Sequence, residues 1–276
     1  MTERLLSPLV FDFLWEEMRL GEHPYPLRVP SHGETMDGRM MLRAEVGKLM
    51  VAEGIKDQRG FVEPGVEHWL HVLAASTRSV DAIHSPGSGE DHVLALAASD
   101  GETGVLAVQS AAGVLLRPTY PEALVSEIIG LLPAGERGTQ RAVTLSLDDA
   151  LRTSPARVKV TASGRDEESR GRFGLRRGRS RALADRSAGD QREDYAVLSA
   201  QPRLRGGQLA ANSRDEAGRK HRSSVLAWFD TVTGRYLNIA RSGDDGHEWI
   251  TVAPADTKTL RTRLAELLSE VSAAAS

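Results

Sequence analysis

The sequence predicts a mixed α/β (α+β) fold: a central antiparallel sheet flanked by helical bundles, with a quasi-twofold internal repeat. Two groups of short apolar runs, over 79–117 and 207–252, are punctuated by Gly, Asp and Ser turns of the kind that close hairpins. Each group is followed by a helical stripe of apolar residues, and further stripes fill the N-terminal third. The blocks at about 79–132 and 207–271 also share an apolar register without gaps. Anchored on Pro118 and Pro254, Val114 matches Ile250, Leu116 matches Val252, Leu124 matches Leu260 and Ile128 matches Leu264. Leu131-Leu132 then match Leu267-Leu268. A duplicated strand–strand–helix unit would give this register, and so would the common spacing of any strand–turn–helix unit.

The first helix starts at Ser7-Pro8, a capping hydroxyl followed by a proline at the first helical position. Phe11, Leu14, Trp15 and Met18 follow at helical spacing, and Gly21 ends it. The run His23–Pro30 contains three prolines and must be extended. A second helix is expected from Thr35 to Glu53 with Leu42, Val46, Leu49 and Met50 on its buried face. A third begins near Pro64 and carries Val66, Trp69, Leu70 and Leu73. Strands follow at Ser79–His84, His92–Ala98, Gly104–Gln109 and Gly113–Arg117, with turns at Ser99–Glu102 and Ala111–Gly113. A helix is expected from about Pro121 to Leu132, a strand at Ala142–Leu147, and helices at Leu147–Arg152 and Asp190–Ala200. Four more strands, Gly207–Asn212, Ser224–Asp230, Arg235–Arg241 and His247–Val252, precede a final helix at about Ala255–Val271, striped by Leu260, Leu264, Leu267, Leu268 and Val271.

The composition excludes several functions. The 276 residues include no cysteine, which removes disulfides, iron–sulfur clusters and thiolate chemistry and suits a cytoplasmic location. No segment approaches the ~20 apolar residues of a membrane helix, so no membrane insertion is expected. The N-terminus lacks the layout of a signal peptide. A net charge of −3 argues against bulk nucleic-acid binding. The segment 164–186 holds eight arginines against four acids, with almost no aliphatic residues. It is expected to be a disordered loop.

A search for reactive constellations finds little. Neither GxxxxGK nor a strand-linked GxGxxG is present, and Gly87-Ser88-Gly89 is no nucleophile elbow. His68 and His71 lie one helical turn apart and could chelate a metal, but they lack a glutamate of the HExxH type and a third ligand. His84 and His92 lie near strand ends and carry less. The paired acids Glu90-Asp91 and Asp244-Asp245 sit in glycine-containing turns and are expected to be solvated. No catalytic residue, cofactor or metal is therefore expected. A His-based metal-dependent enzyme and a nucleic-acid adaptor using the arginine-rich loop remain as alternatives. The hairpin Trp228-Phe229-Asp230-Thr231 and Gly234-Arg235-Tyr236 carries aromatics on both strands, expected in the core.

Several motifs together resemble the EspG family associated with ESX (type VII) secretion. They are Leu6-Ser7-Pro8-Leu9, Asp12, Trp15, Leu20-Gly21, Pro24-Tyr25-Pro26-Leu27 and Pro30-Ser31-His32-Gly33 near the N-terminus. The distal set is Gly207-Gln208, Asp215, Gly218-Arg219, the Trp228–Tyr236 hairpin and Thr251–Asp256. The resemblance reaches from residue 6 to about 270. It implies a single domain over 1–276, without enzymatic activity, that acts as a cytosolic chaperone. Its partner would be the apolar helical tip of a PPE protein in a PE–PPE heterodimer, or a similar helical-hairpin secretion substrate. The family's contacts imply sheet loops and the C-terminal helix as the partner surface. On geometry, the candidate partner-binding residues are Asp100, Gly101, Glu102 and Thr103 in a hairpin turn, and Arg261 and Arg263 on the outer face of the last helix. Lys258 and Glu266 share that outer face.

Overall fold

The structure is a computed structural model that describes residues 3–87, 89–153, 179–243 and 246–275; for 179–188 it describes the backbone only. In chain order the elements are β1 (Arg4–Leu6), α1 (Pro8–Glu17), α2 (Met36–Ala52), α3 (Pro64–Ala75), β2 (Arg78–Ser85), β3 (Val93–Ser99), β4 (Gly104–Ser110), β5 (Gly113–Thr119) and α4 (Leu124–Gly130). Then come β6 (Val143–Ser146), α5 (Leu147–Thr153), α6 (Arg179–Ser199), β7 (Arg205–Arg214) and β8 (Lys220–Arg222). The chain ends with β9 (Leu226–Thr231), β10 (Gly234–Ser242), β11 (Glu248–Pro254) and α7 (Thr257–Ala274). It condenses into two compact units: Met1–Ala134 with Arg205–Leu226 and Thr257–Ser276, and Gly135–Leu204 with Ala227–Asp256.

The larger unit is built on an antiparallel sheet in the order β1-β5-β4-β3-β2-β7, with β8 paired to β7. One face supports α1 and α3. Phe11, Leu14, Trp15, Trp69 and Leu70 form a core with Leu96 and Ala98 of β3, Val105 and Ala107 of β4, and Val114 and Leu116 of β5. Side chains alternate along a strand, so Ala95 and Ala97 face the other way, where α4 lies against β2, β3 and β4. The final helix α7 packs on β7, β2 and β8 and touches α4. Covering both faces explains why β2 and β3 read as nearly continuous buried runs rather than alternating ones.

Local rules account for the N-terminal helix. The Ser7 hydroxyl accepts a hydrogen bond from the Val10 N–H at 3.3 Å, and Pro8 occupies the first turn. At the other end the Trp15 indole donates to the Gly21 carbonyl at 2.9 Å, tying the turn after the helix to its body. The extended run that follows returns through His32, whose backbone N–H donates to Asp12 Oδ2 at 2.7 Å. Arg39 of α2 holds both Asp12 oxygens, at 3.0 and 3.1 Å, and also pairs with Glu16. Burial alone would raise the Asp12 carboxyl, but Arg39 and His32 outweigh it and hold it below the ordinary carboxylate value. Gly33 is needed where the chain passes α2: its φ is +94°, and a Cβ there would lie 2.9 Å from the Arg39 Cα.

The smaller unit carries the sheet order β9-β10-β11-β6 with α5 and α6 packed on it. Its core joins Val143, Leu145, Ala150, Leu198, Phe229, Tyr236, Ile250 and Val252. Phe229 and Tyr236 of the aromatic hairpin lie in this core and Trp228 is also buried, as expected. Phe229 and Tyr236 stack with ring centroids 5.6 Å apart. Arg235, with no exposed side-chain surface, donates from Nε to Asp230 Oδ1 at 2.7 Å and from Nη2 to Oδ2 at 2.9 Å, under the Trp228 ring at 4.5 Å.

Except for the start of α6, the strand and helix expectations hold with shifts of a few residues. Pro133 and the Leu131 turn end α4 early, at Gly130. In α2 only Val46 and Met50 are buried; Leu42 is half-buried and Leu49 exposed, and the first turns of this helix meet α1 through Arg39 rather than through an apolar stripe. The matched repeat positions agree in burial: Leu116 and Val252, Leu124 and Leu260, and Ile128 and Leu264 are buried, while Leu131-Leu132 and Leu267-Leu268 are half-buried. Two three-residue strands, β1 and β8, were not expected. Of the arginine-rich segment, 164–178 lies outside the described residues; α6 begins at Arg179, well before the expected start at 190. The paired acids Asp244-Asp245 and Ser88 also lie outside the described residues.

Candidate partner-binding surface

The turn between β3 and β4 is fixed by its own side chains. Gly101 sits at φ +106°, which favours glycine. Asp100 Oδ1 accepts from the Glu102 N–H at 3.0 Å and the Thr103 N–H at 2.8 Å. Ser99 Oγ accepts from the Gly101 N–H at 2.9 Å and donates to the Thr103 carbonyl at 2.6 Å. Burial would raise the Asp100 carboxyl, but the N–H groups of Thr103 and Glu102 prevail and hold it below its ordinary value. The tip is therefore an anionic, preorganised turn rather than a loose loop. It is also anchored: His68 Nε2 on α3 lies 2.7 Å from Thr103 Oγ1. That bond commits an imidazole considered above as a metal ligand. Among the described residues no group of three or more His, Cys, Asp or Glu side chains is placed to hold a metal ion.

Arg261 and Arg263 project from α7 as exposed residues. Leu260, Leu264 and Val271 are buried on its other side, and Leu267 and Leu268 are half-buried. Arg263 is paired with Glu266 at 2.7 Å, so the outer face carries a local ion pair as well as separate charges. Pairing register relates the turn to the helix. Ser99 is opposite Arg78, Arg78 is opposite Ser213, and Ser213 Oγ donates to the Val271 carbonyl at 2.6 Å. The hairpin tip and the last turns of α7 thus share one end of the sheet. Arg261 and Arg263 lie ~12 Å or more back along the helix at ~1.5 Å per residue. No hydrogen bond or ion pair joins them to the tip among the described residues.

Sequence reasoning missed an apolar feature. The first turns of α2 expose Met36, Met40 and Met41, at 85%, 67% and 72% of their surface. The signal was present in the i, i+4 spacing of Met36 and Met40, but a stripe does not reveal whether anything covers it. Methionine-rich helical faces adapt to apolar partners of varied shape. Several residues of the family-like motifs instead build the fold. Ser7, Asp12, Trp15, His32 and Gly33 build the α1–α2 corner. Gly207 lets β7 approach β2, since a Cβ there would meet the Ile83 carbonyl and the His84 Cβ at 2.5 Å. Asp215 and Arg219 close the β7–β8 turn through bonds of 2.8 Å.

The described residues form an α+β protein of antiparallel sheets flanked by helices, with charged and apolar surface and no assembled metal site. None of its helices, among those residues, is long and apolar enough to cross a membrane. The protein-family model described as the EspG family matches residues 7–266, and the chain belongs to that family. Among solved structures it is similar to the Mycobacterium tuberculosis type VII secretion system chaperone EspG5, solved in complex with a PE25-PPE41 dimer. The TM-score is 0.66 and the identity 18%, over 97% of this chain and 96% of that one. No curated protein sequence matches this chain.

Proposed function

We propose that this protein is a cytosolic chaperone that binds the apolar helical tip of a PPE-type protein, as part of a PE–PPE pair or a similar helical hairpin, and keeps it soluble for a type VII secretion machine. The reading is carried by membership of the EspG family over nearly the whole chain, joined to a fold shared with a chaperone solved with such a dimer. The physics is mass action: occupying an exposed apolar patch on the cargo lowers the population that can self-associate. On this reading Asp100, Gly101, Glu102 and Thr103 form a rigid contact loop, and Arg261 and Arg263 supply polar rim contacts from α7.

The exposed methionines of α2 favour a second location for the contact on the same protein. They offer apolar area, which the rim of α7 lacks. Co-purification with a genomically adjacent PE–PPE pair tests both. The double variant Arg261→Glu with Arg263→Glu should weaken capture and make it less salt-dependent, because rim charges act mainly on association rate. The pair Met36→Asp with Met40→Asp should spare capture if α7 is the contact and abolish it if α2 is. Undiminished capture by the charge-reversed variant removes the outer face of α7 from the interface. Failure of the wild-type protein to capture any such pair removes the chaperone reading.

A further inference from the structure

A cavity of about 270 Å³ opens in the larger unit, between the chain following α1, the end of α3, and the strands β2, β3, β7 and β8. Its walls differ in character. One is apolar, formed by Leu73, Ala74 and Leu96 beside Pro24 and Tyr25. The other carries three cationic side chains, Arg214, Lys220 and Arg222.

The three cations are not equivalent. Arg222 is already satisfied: its Nη1 and Nη2 reach the buried Asp81 carboxylate at 2.6 and 3.0 Å, Nη1 also donates to Asn212 Oδ1 at 2.9 Å, and its guanidinium stands 4.9 Å from the Tyr25 ring centroid. Arg214 is different. Its backbone N–H bonds to the Thr77 carbonyl, but its side chain makes no hydrogen bond or ion pair among the described residues, and its Nε is shielded from solvent with no acceptor. A buried guanidinium N–H without an acceptor is costly and marks a charge that the fold itself does not neutralise; the Nη groups of Arg214 are not shielded in this way and are the ones open to a guest in the cavity. Lys220 has no partner among the described residues either. Glu22, at the rim, is the opposing charge on the lining, and burial holds the His23 imidazole below its ordinary value, favouring the neutral ring, with Asp12 opposing in part. With Arg222 offset by Asp81, the lining carries a net single positive charge.

We propose that this cavity is a binding site for a small aliphatic carboxylate, its carboxylate on Arg214 and Lys220 and its hydrocarbon against Leu73, Ala74 and Leu96. The planar guanidinium fork matches a carboxylate in geometry. One unit of negative charge balances the lining, whereas a phosphate dianion would overshoot it and meet Glu22. The volume falls just under the ~300–1,000 Å³ of pockets for larger ligands, which limits the guest to several carbons. The inference rests on the cavity alone and is independent of the chaperone reading.

The test uses the intact protein. Hexanoate, hexanamide and inorganic phosphate are titrated separately while the Nε–Hε resonance of Arg214 is followed, assigned by its loss in Arg214→Gln. Hexanoate should shift it saturably with a dissociation constant on the order of millimolar, while hexanamide and phosphate should not. Arg214→Gln should weaken hexanoate binding, read by calorimetry, by roughly 10- to 100-fold. Should that variant fail to fold, Ala74→Phe, which fills the apolar wall and leaves Arg214 in place, should weaken it as well. A peptide ending in leucine, with a free or an amidated terminus, separates the two sources of such a carboxylate. Tighter binding of the free-terminus peptide than of hexanoate assigns the site to a chain end, and weaker binding to a free acid. An equal response to hexanamide, a phosphate-only response, no saturable shift, or unchanged affinity in a folded Arg214→Gln protein would overturn the assignment.

Discussion

Replacing Asp230 with alanine isolates the best-buried charge in the smaller unit. The Arg235 side chain has no exposed surface and that of Asp230 only 5%, so solvent cannot replace the lost carboxylate. The variant removes two charge-assisted bonds, of 2.7 and 2.9 Å, and leaves a guanidinium in the core. Breaking one side of a buried pair costs about 3–5 kcal/mol. The Trp228 face, 4.5 Å from the guanidinium carbon, stays in contact with the charge in the variant and keeps the loss toward the lower end of that range. The expected loss is therefore about 3 kcal/mol, a large part of the ~5–15 kcal/mol that holds a typical domain. The exposed pair Arg263–Glu266, with side chains 46% and 47% exposed, sets the contrast: Arg263→Ala should cost no more than ~0.5 kcal/mol. Urea unfolding at neutral pH measures both. The double variant Asp230→Ala with Arg235→Met should recover part of the loss, because it removes the buried charge along with the carboxylate that neutralised it. A single-variant loss below ~1 kcal/mol, or strict additivity in the cycle, would refute the reasoning.

Two further outcomes follow from the larger unit. Because the folded Asp12 carboxyl is held below its ordinary value of 3.8, its contribution is present above that value and is lost as pH falls through the lowered one; Asp12→Asn should be less stable than wild type near pH 6, and the two urea midpoints should converge in strong acid. Gly113→Ala should destabilise by more than ~1–3 kcal/mol, since φ is +135° and the new Cβ would lie 2.1 Å from the Leu6 carbonyl oxygen, forcing β1 off β5; amide exchange at Leu5 and Leu6 should accelerate, and unchanged protection there would contradict the pairing.

What the sequence determined was local. Ser7-Pro8 fixed the start of α1, and Gly101 with Asp100 fixed the β3–β4 turn. The Leu260, Leu264 and Val271 spacing gave α7 its buried side, because capping, turn geometry and helical period depend on residues within a few positions. The family, too, was legible, since its motifs are the residues that build corners and close strand approaches. The short strands β1 and β8 were not, because three residues are too few for periodicity and the pairing partners of β1 lie more than a hundred positions away. Only the tertiary structure decided that Asp12 meets Arg39, that Asp81 meets Arg222, that His68 reaches Thr103, and that Arg214 lines a cavity with no acceptor. It also decided that Met36, Met40 and Met41 of α2 stay uncovered. Such facts follow from which side chains the sheet register and the helix packing bring together, and no local propensity encodes a contact between residues that the chain must fold to join.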